Sequence, residues 1–298
     1  MILKKQKRRY LPFLFVKFMN QKVALVASGG GMSCSYAAGA ISALASFHKF
    51  ETPDIALAGS GSVGTMAYYT SGQYPSLIGL WSRHLSTRKF INKLRFWKII
   101  DIDYLIDDVF KKQDPLDTEA VKESDIEFLI PVTNVLTGDL TYFSNHDSRD
   151  PNDIFDFMRA SKALPIAFNK RVVIDDVEYC DTYLSSYLQT HIKTAIERGA
   201  THIIAINNDM SRWFNEFLFG LWLKRQSARF KDNYQRKLRE VLDFEIPDDI
   251  SIVYIDPSKK LRVQTLNSTQ NLLAEAIQMG HDDVVNSKDL RALLDSLA

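Results

Sequence analysis

The chain has 298 residues, of which 46% are hydrophobic and 24% are charged, and its formal net charge is +1. These values are typical of a globular protein with a large core, and they give no reason to expect a nucleic-acid partner. The two cysteines are too few for a secreted disulfide scaffold, so a reducing, cytoplasmic compartment is predicted. No uninterrupted apolar run in the sequence is long enough to span a bilayer.

The first 18 residues form a basic and aromatic segment. Its cations precede a short apolar run over residues 11–16, but Lys17 ends that run and no small-residue cleavage site follows, unlike in a signal peptide. Two interpretations stay open, namely contact with an anionic membrane surface or an upstream extension of a chain that starts at Met19. We therefore predict a tail over residues 1–18 and one domain over residues 19–298.

Three consecutive glycines follow the first predicted strand. The strand covers residues 22–27, and Gly29, Gly30 and Gly31 separate it from a helix of small residues. Backbone amides at the start of a helix bind anions, either a phosphate or the oxyanion of an acyl-transfer intermediate. The loop lacks the Lys-Ser/Thr pair of a nucleotide loop and the glycine spacing of a dinucleotide site. The sequence therefore favours an oxyanion hole, with phosphate binding as the alternative.

A second strand-to-helix turn predicts a nucleophile. Residues 55–58 form a short apolar strand, a Gly-Ser-rich turn follows, and a helix resumes at about Val63. In such a turn a serine side chain is pushed out of the backbone, and small neighbours leave it the necessary room. Ser62, with Ser60 two residues before it and Gly64 two residues after it, is the predicted nucleophile. The alternative is a Gly/Ser-rich turn without chemistry.

The remaining sequence alternates between strands and helices. Helices are predicted over residues 77–85, 151–163 and 213–239, with Asp101 as the cap of a further helix. This order implies one mainly parallel sheet with helices on both faces. The remaining strands are predicted over residues 127–134, 140–144, 172–174, 177–179, 202–206 and 251–255.

Residues 213–223 are almost entirely apolar. They contain two tryptophans and three phenylalanines around a single acidic residue, Glu216, and two cations follow them. A helix that is apolar nearly all round is either buried in the core or faces lipid. Tryptophans with flanking cations are also favoured at a membrane boundary, so both interpretations stay open.

Four blocks together resemble the patatin-like phospholipase family. Residues 28–31 are similar to its glycine-rich oxyanion loop, and residues 60–64 are similar to its nucleophile elbow. Residues 159–165 resemble the segment that precedes the catalytic aspartate of the family, and Asp181 lies where its Asp-Gly-Gly or Asp-Gly-Ala motif would place that aspartate. The resemblance covers roughly residues 22–207.

The resemblance implies a three-layer α/β fold and a serine lipid acyl hydrolase, meaning a phospholipase, lysophospholipase or esterase. It implies a catalytic dyad of Ser62 and Asp181, in agreement with six histidines of which none lies in a general-base motif. It also implies an oxyanion hole formed by the amides of Gly29, Gly30 and Gly31. The substrate would be a lipid or another acyl ester. Neither a cofactor nor a metal is expected, because no cluster of His, Asp or Glu has ligand spacing.

The chain departs from the pattern of the family at several positions. Ser33 and Cys34 follow the glycine run where Arg or Lys and then Gly are usual, and Ser60 stands where Gly is usual. Thr182 and Tyr183 follow Asp181 in place of two small residues. None of these changes removes a reacting group. Three functions are therefore compatible with the sequence: a divergent active hydrolase, a catalytically silent lipid-binding or scaffold protein, and a protein that binds a phosphate ligand through Gly29, Gly30 and Gly31.

Overall fold

A computed structural model describes residues 21–95, 98–168, 170–208 and 219–297. The predicted tail over residues 1–18 lies outside these ranges, and its separation from a single domain over residues 19–298 stays a prediction. Among the helices of the described ranges, none is both long and apolar enough to cross a membrane.

Eight described strands form one sheet. Along the sheet the order is β5-β6-β3-β2-β1-β7-β8, and β4 pairs with β3. The pairs β1–β2, β1–β7, β2–β3 and β7–β8 are parallel, whereas β4, β5 and β6 join through antiparallel pairs. The prediction of a mainly parallel sheet is confirmed. The strands are β1 Val23–Ala27, β2 Ile55–Ala58, β3 Glu127–Asn134, β4 Leu140–Ser144, β5 Val172–Ile174, β6 Val177–Cys180, β7 His202–Ile206 and β8 Ser251–Ile255.

Helices cover both faces of the sheet because neighbouring residues of its central strands point to opposite sides. In β1, Ala24 and Val26 pack in one apolar cluster with α7, whereas Leu25 and Ala27 pack in a larger cluster with α1, α2, α5 and α9. The predicted three-layer arrangement is therefore present. The helices are α1 Ser35–Ser46, α2 Ser62–Thr70, α3 Leu77–Gly79, α4 Thr118–Glu123, α5 Asp153–Lys162, α6 Tyr183–Ser186, α7 Leu188–Glu197, α8 Ala228–Leu242, α9 Gln270–Asn286 and α10 Lys288–Leu297, with π-helical segments over Leu80–Leu85 and Tyr104–Gln113.

The long helix predicted over residues 213–239 is interrupted. Residues 219–224 are helical, but the helix does not continue, and α8 begins at Ala228. The cause is Ser227, whose backbone is extended and whose hydroxyl accepts a hydrogen bond from the amide of Phe230, as an N-cap does. A capping serine thus divides one apolar and charged pattern into two helices.

The apolar segment over residues 213–223 is described only at its end. There, the Phe219 ring contacts the Tyr234 ring at 5.3 Å between centroids, and the Trp222 ring contacts the Phe230 ring at 5.3 Å. Both partners lie on α8 and are buried, so this end packs against the core. Residues 213–218 lie outside the described residues, and lipid contact through them stays a prediction.

Candidate active site

The loops after three neighbouring parallel strands meet at one edge of the sheet. The glycine loop follows β1, the Gly-Ser turn follows β2, and Asn208 lies two residues after the end of β7. In open α/β sheets, ligands bind outside the carboxyl ends of the strands, where such loops converge. Each of these loops contributes groups to the candidate active site.

Ser60 occupies the tight turn between β2 and α2. Its φ is +50°, in the left-handed region that residues with a side chain rarely adopt. Strained backbone of this kind at a strand-to-helix turn is the conformation that presents a nucleophilic serine. Ser60 is partly exposed and lines a cavity, whereas Ser62 is fully buried as the first residue of α2.

Glycines flank Ser60 on both sides because the turn has no room for side chains. A Cβ at Gly59 would lie 2.6 Å from the Ser185 carbonyl oxygen, and a Cβ at Gly61 would lie 2.5 Å from the Gly31 carbonyl oxygen. Both distances are far below a normal contact. The sequence Gly59-Ser60-Gly61 is therefore required by the close approach of two other loops to this turn.

The hydroxyl of Ser62 is used in a structural network. It donates to the Ser28 carbonyl oxygen at 2.7 Å and accepts from the Asn208 side-chain amide at 3.0 Å. The same amide donates to the Ser28 carbonyl oxygen at 2.6 Å, which ties the ends of β1 and β7 to α2. Neither bond involves Asp181, in contrast to the geometry expected of Ser62 as a nucleophile.

Asp181 is buried and carries a network of hydroxyl donors. Its carboxylate accepts hydrogen bonds from the Ser186 and Ser185 hydroxyls, with Oγ to Oδ1 distances of 2.7 Å and 3.1 Å, and the Ser60 side chain also interacts with it. Burial raises the pKa of Asp181 to about 6, although these hydrogen bonds and Lys162 act to lower it. A carboxylate with a pKa in this range can accept a proton near neutral pH and release it again.

Thr182, one of the departures from the family pattern, has a structural role as the N-cap of α6. Its hydroxyl accepts from the Ser185 amide while the Ser185 hydroxyl accepts from the Thr182 amide, so the two form a capping box at the start of α6. The Thr182 hydroxyl also lies 2.7 Å from that of Thr133 on β3. The capping box holds Ser185 and Ser186 in place, and both donate to Asp181.

The three glycines of the loop are not equivalent. The amide of Gly29 donates to the Ser186 carbonyl oxygen at 2.7 Å, so it is not available for a substrate, in contrast to the expectation from the sequence. Gly30 and Gly31 line the cavity, with φ values of +151° and +61°. Neither amide donates a hydrogen bond to a backbone carbonyl oxygen within the described part of the chain. Gly30 and Gly31 thus remain the candidate donors to an oxyanion.

Lys162, at the end of α5, is a site residue that the sequence did not predict. Its ammonium donates to the Ser60 carbonyl oxygen at 2.7 Å, and its side chain is buried. Burial lowers the pKa of Lys162 to about 8, although the neighbouring Cys34 and Asp181 act to raise it. The Asp181 amide donates to the carbonyl oxygen of the next residue, Ala163, at 3.0 Å, which fixes the two segments side by side.

A mostly apolar cavity opens beside Ser60. Small-molecule sites are typically concave and apolar with a few polar groups that converge on one end. At its polar end are Ser60, Asp181, Lys162, Gly30 and Gly31. The apolar part is lined by Met32, Trp81, Leu85, Phe90, Ile91, Ile100, Ile102, Leu105, Leu164 and Phe219.

His191 is the histidine that packs nearest the turn, but it lies behind it. Its Nε2 would be 2.9 Å from a Cβ at Gly59, and both ring nitrogens are without a hydrogen bond in the described structure. Burial lowers the pKa of His191 to about 3, so the ring is neutral. His191 is not among the residues that line the cavity. Over the described ranges, no three His, Cys, Asp or Glu side chains are grouped as metal ligands would be.

Comparison with known proteins supports the same fold. The crystal structure of VipD from Legionella pneumophila is similar, with a TM-score of 0.54 and 15% sequence identity, over 93% of this chain and 67% of that chain. At this identity the likeness shows the fold alone. No curated protein matches the chain significantly.

A sequence model described as patatin-like phospholipase matches residues 25–192. The match contains the glycine loop, the turn at Ser60, Lys162 and Asp181, and it extends over more than half of the 298 residues. The chain therefore belongs to the patatin-like phospholipase family.

Proposed function

We propose that this protein is a serine hydrolase of lipid acyl esters in which Ser60 is the nucleophile and Asp181 is its general base. The observation that carries the proposal is the juxtaposition of the Ser60 side chain and the buried Asp181 carboxylate, which both line the polar end of an apolar cavity. The positive φ of Ser60 supports the same assignment. Ser60 thereby replaces Ser62, whose hydroxyl is occupied elsewhere.

In the acylation step, the Ser60 oxygen attacks the carbonyl carbon of the ester while its proton passes to Asp181. The amides of Gly30 and Gly31 stabilise the negative oxygen of the tetrahedral intermediate, where the loss of one donor typically costs ~2.7–4 kcal/mol. The intermediate collapses with cleavage of the bond to the alcohol, which takes the proton from Asp181 as it leaves. An acyl-enzyme on Ser60 remains.

In the deacylation step, water takes the place of the alcohol. Asp181 accepts a proton from the water as its oxygen attacks the acyl carbonyl carbon, and the same amides hold the second oxyanion. The bond between the acyl group and Ser60 then breaks, and the serine oxygen recovers the proton from Asp181. The products are the carboxylic acid and the free enzyme, so no other reactant is needed.

The composition of the cavity supports an acyl chain as the bound part of the substrate. Its lining beyond the polar end consists of aliphatic and aromatic side chains, which gain free energy by excluding water from an alkyl chain, at ~25 cal/mol per Å² of apolar surface. Membership of the family also favours a lipid substrate. A cytoplasmic location and contact with a membrane surface through residues 1–18 stay predictions.

The cavity predicts a dependence on acyl-chain length that hydrolysis of p-nitrophenyl esters can measure. We expect the purified chain to prefer long acyl chains over acetate. The substitution Leu85→Trp, which fills part of the apolar wall, should lower kcat/KM for a long-chain ester by roughly tenfold and affect the acetate much less.

The exposed residue Leu136 supplies the matched control, because Leu136→Trp adds the same side chain outside the cavity. That variant should keep the chain-length profile of the wild type. A wild-type protein that binds fatty-acyl lipids but hydrolyses none of the esters would contradict the proposed function and favour the catalytically silent alternative.

A further inference from the structure

Lys162 is a buried cation that the acyl-transfer steps above do not use. Only 5% of its surface is exposed, although lysine is almost never buried without a partner. Its Nζ lies 2.7 Å from the carbonyl oxygen of Ser60, the residue with the strained backbone. A lysine in this place needs an explanation, because removing an ammonium group from water is costly.

We propose that Lys162 is a positioning residue, which holds the Ser60 carbonyl and supplies the fixed positive charge beside the Asp181 carboxylate. The inference rests on the proposed roles of Ser60 and Asp181. Lys162 does not contact the reacting atoms itself, because its hydrogen bond goes to the main chain of Ser60 and not to the hydroxyl.

The first part of this role is mechanical. The Ser60 carbonyl oxygen accepts from the Val63 amide at 3.2 Å within the turn and from the Lys162 ammonium across from it. A residue with positive φ persists only where the surrounding structure fixes it, and this second donor arrives from a different element, α5. The bond between the Asp181 amide and the Ala163 carbonyl oxygen connects α5 to the base. Lys162 therefore joins the turn that carries the nucleophile to the strand end that carries the base.

The second part is electrostatic. The titratable groups that face Lys162 are Asp181, after β6, and Cys34, before α1, and Cys180 lies next to Asp181. Burial raises the pKa of Cys34 to about 12 and the pKa of Cys180 well above its ordinary value, so both thiols are neutral. Lys162 and Asp181 are thus the opposite charges of this site, and each favours the charged form of the other.

The pair predicts a bell-shaped pH dependence of kcat/KM. Activity rises as Asp181 loses its proton, with a pKa of about 6, and falls as Lys162 loses its proton, with a pKa of about 8. Loss of the Lys162 proton at high pH removes the positive charge beside Asp181 and weakens the hydrogen bond to the Ser60 carbonyl oxygen, so the alkaline side reports on Lys162. The wild-type profile already tests this, because a flat profile above about pH 7 would overturn the proposal.

The decisive experiment compares the full-length wild type, Lys162→Met and Lys162→Arg in hydrolysis of a short soluble ester over roughly pH 5–10. In Lys162→Met we expect the decline of kcat/KM at alkaline pH to disappear. The rise at acid pH should shift upwards by about one pH unit or more, because an opposite charge nearby lowers a carboxyl pKa by ~1–3 units. In Lys162→Arg the charge persists at all these pH values, so the acid side should stay near that of the wild type. Lys112, which is exposed, provides the control Lys112→Met, which should keep the wild-type profile.

The outcomes separate this inference from the proposed function. If the wild type is active, Ser60→Ala is inactive and Lys162→Met keeps the wild-type bell, then Lys162 has no positioning role while the proposed function stands. If the wild type hydrolyses no ester, the proposed function itself fails. If Lys162→Met does not fold, Lys162→Arg decides, because a variant with a permanent charge that still lost activity at the wild-type alkaline pH would overturn the proposal.

Discussion

Replacement of Ser60 by alanine should reduce ester hydrolysis by roughly 10³-fold or more and leave the fold intact. The physical reason is that the Ser60 oxygen forms the bond to the acyl carbon, and among the hydroxyls that line the cavity in the described site only that of Ser60 lies in a strained strand-to-helix turn. Alanine keeps the positive φ of the turn with a smaller side chain, so the free energy of unfolding should change little. Steady-state hydrolysis and thermal unfolding of the same preparation measure the two effects.

Ser62→Ala is the matched control for this prediction. Ser62 lies two residues away in the same turn, and its hydroxyl holds Ser28 and Asn208 without reaching Asp181. We expect this variant to keep activity within a few-fold of the wild type and to lose ~1–3 kcal/mol of stability, because a buried hydrogen bond is broken. The reverse pattern, with Ser62→Ala inactive and Ser60→Ala active, would contradict the assignment and restore the nucleophile that the sequence favours.

Replacement of Asp181 by asparagine should also remove most activity, by roughly 10²–10⁴-fold, because the amide cannot accept the proton of Ser60. The double variant Ser60→Ala, Asp181→Asn should be little worse than either single variant, since a nucleophile and its base act as a unit. Asp248, which is exposed, gives the control Asp248→Asn with unchanged activity. Independent, multiplicative losses in the double variant would show that Asp181 is not the base of Ser60.

The same substitution, Asp181→Asn, should lower activity but raise the free energy of unfolding at neutral pH. The pKa of Asp181 rises from 3.8 to about 6 in the folded protein. The folded state therefore binds the proton more tightly, and the stabilising contribution of the protonated carboxyl is lost as the pH rises from 3.8 to 6. At pH 7 the asparagine variant does not carry this cost, so it should be more stable than the wild type by up to ~3 kcal/mol. Denaturant unfolding at pH 7 measures the difference, and a destabilised variant would contradict it.

Much of the fold could be predicted from the sequence because the central strands are continuous apolar runs. Buried parallel strands have this composition, and β2 and β7 have the predicted bounds. Glycines after β1 and β2 predict the turns at the site. The structure gives the reason, because a side chain at Gly29 or Gly61 would collide with a neighbouring loop. The broken helix before Ala228 was missed because one capping serine acts more strongly than a long apolar pattern.

Apolar runs and glycines do not identify the nucleophile in the way that they identify the strands and turns. The sequence Ser60-Gly61-Ser62 offers two serines, each near small residues, and in the structure the backbone conformation separates them. The distance from the strand contains a usable signal, because β2 ends at Ala58 and the turn follows at once, which favours Ser60 over Ser62.

The supporting residues of the site lie beyond sequence reasoning altogether. Lys162, Ser186 and Asn208 come from three separate segments, and tertiary packing alone brings them to Ser60, Asp181 and Ser62. The unequal amides of the glycine loop have the same origin, because Gly29 is occupied by the carbonyl of a distant residue.

Covalent labelling shows directly whether Ser60 is the nucleophile. An alkyl fluorophosphonate reacts with an activated serine, whose oxygen displaces fluoride and forms a stable bond to phosphorus. After proteolysis, fragmentation mass spectrometry distinguishes an adduct on Ser60 from one on Ser62. We expect the adduct on Ser60, its loss in Ser60→Ala and its retention in Ser62→Ala. An adduct on Ser62 that persists in Ser60→Ala would contradict this assignment.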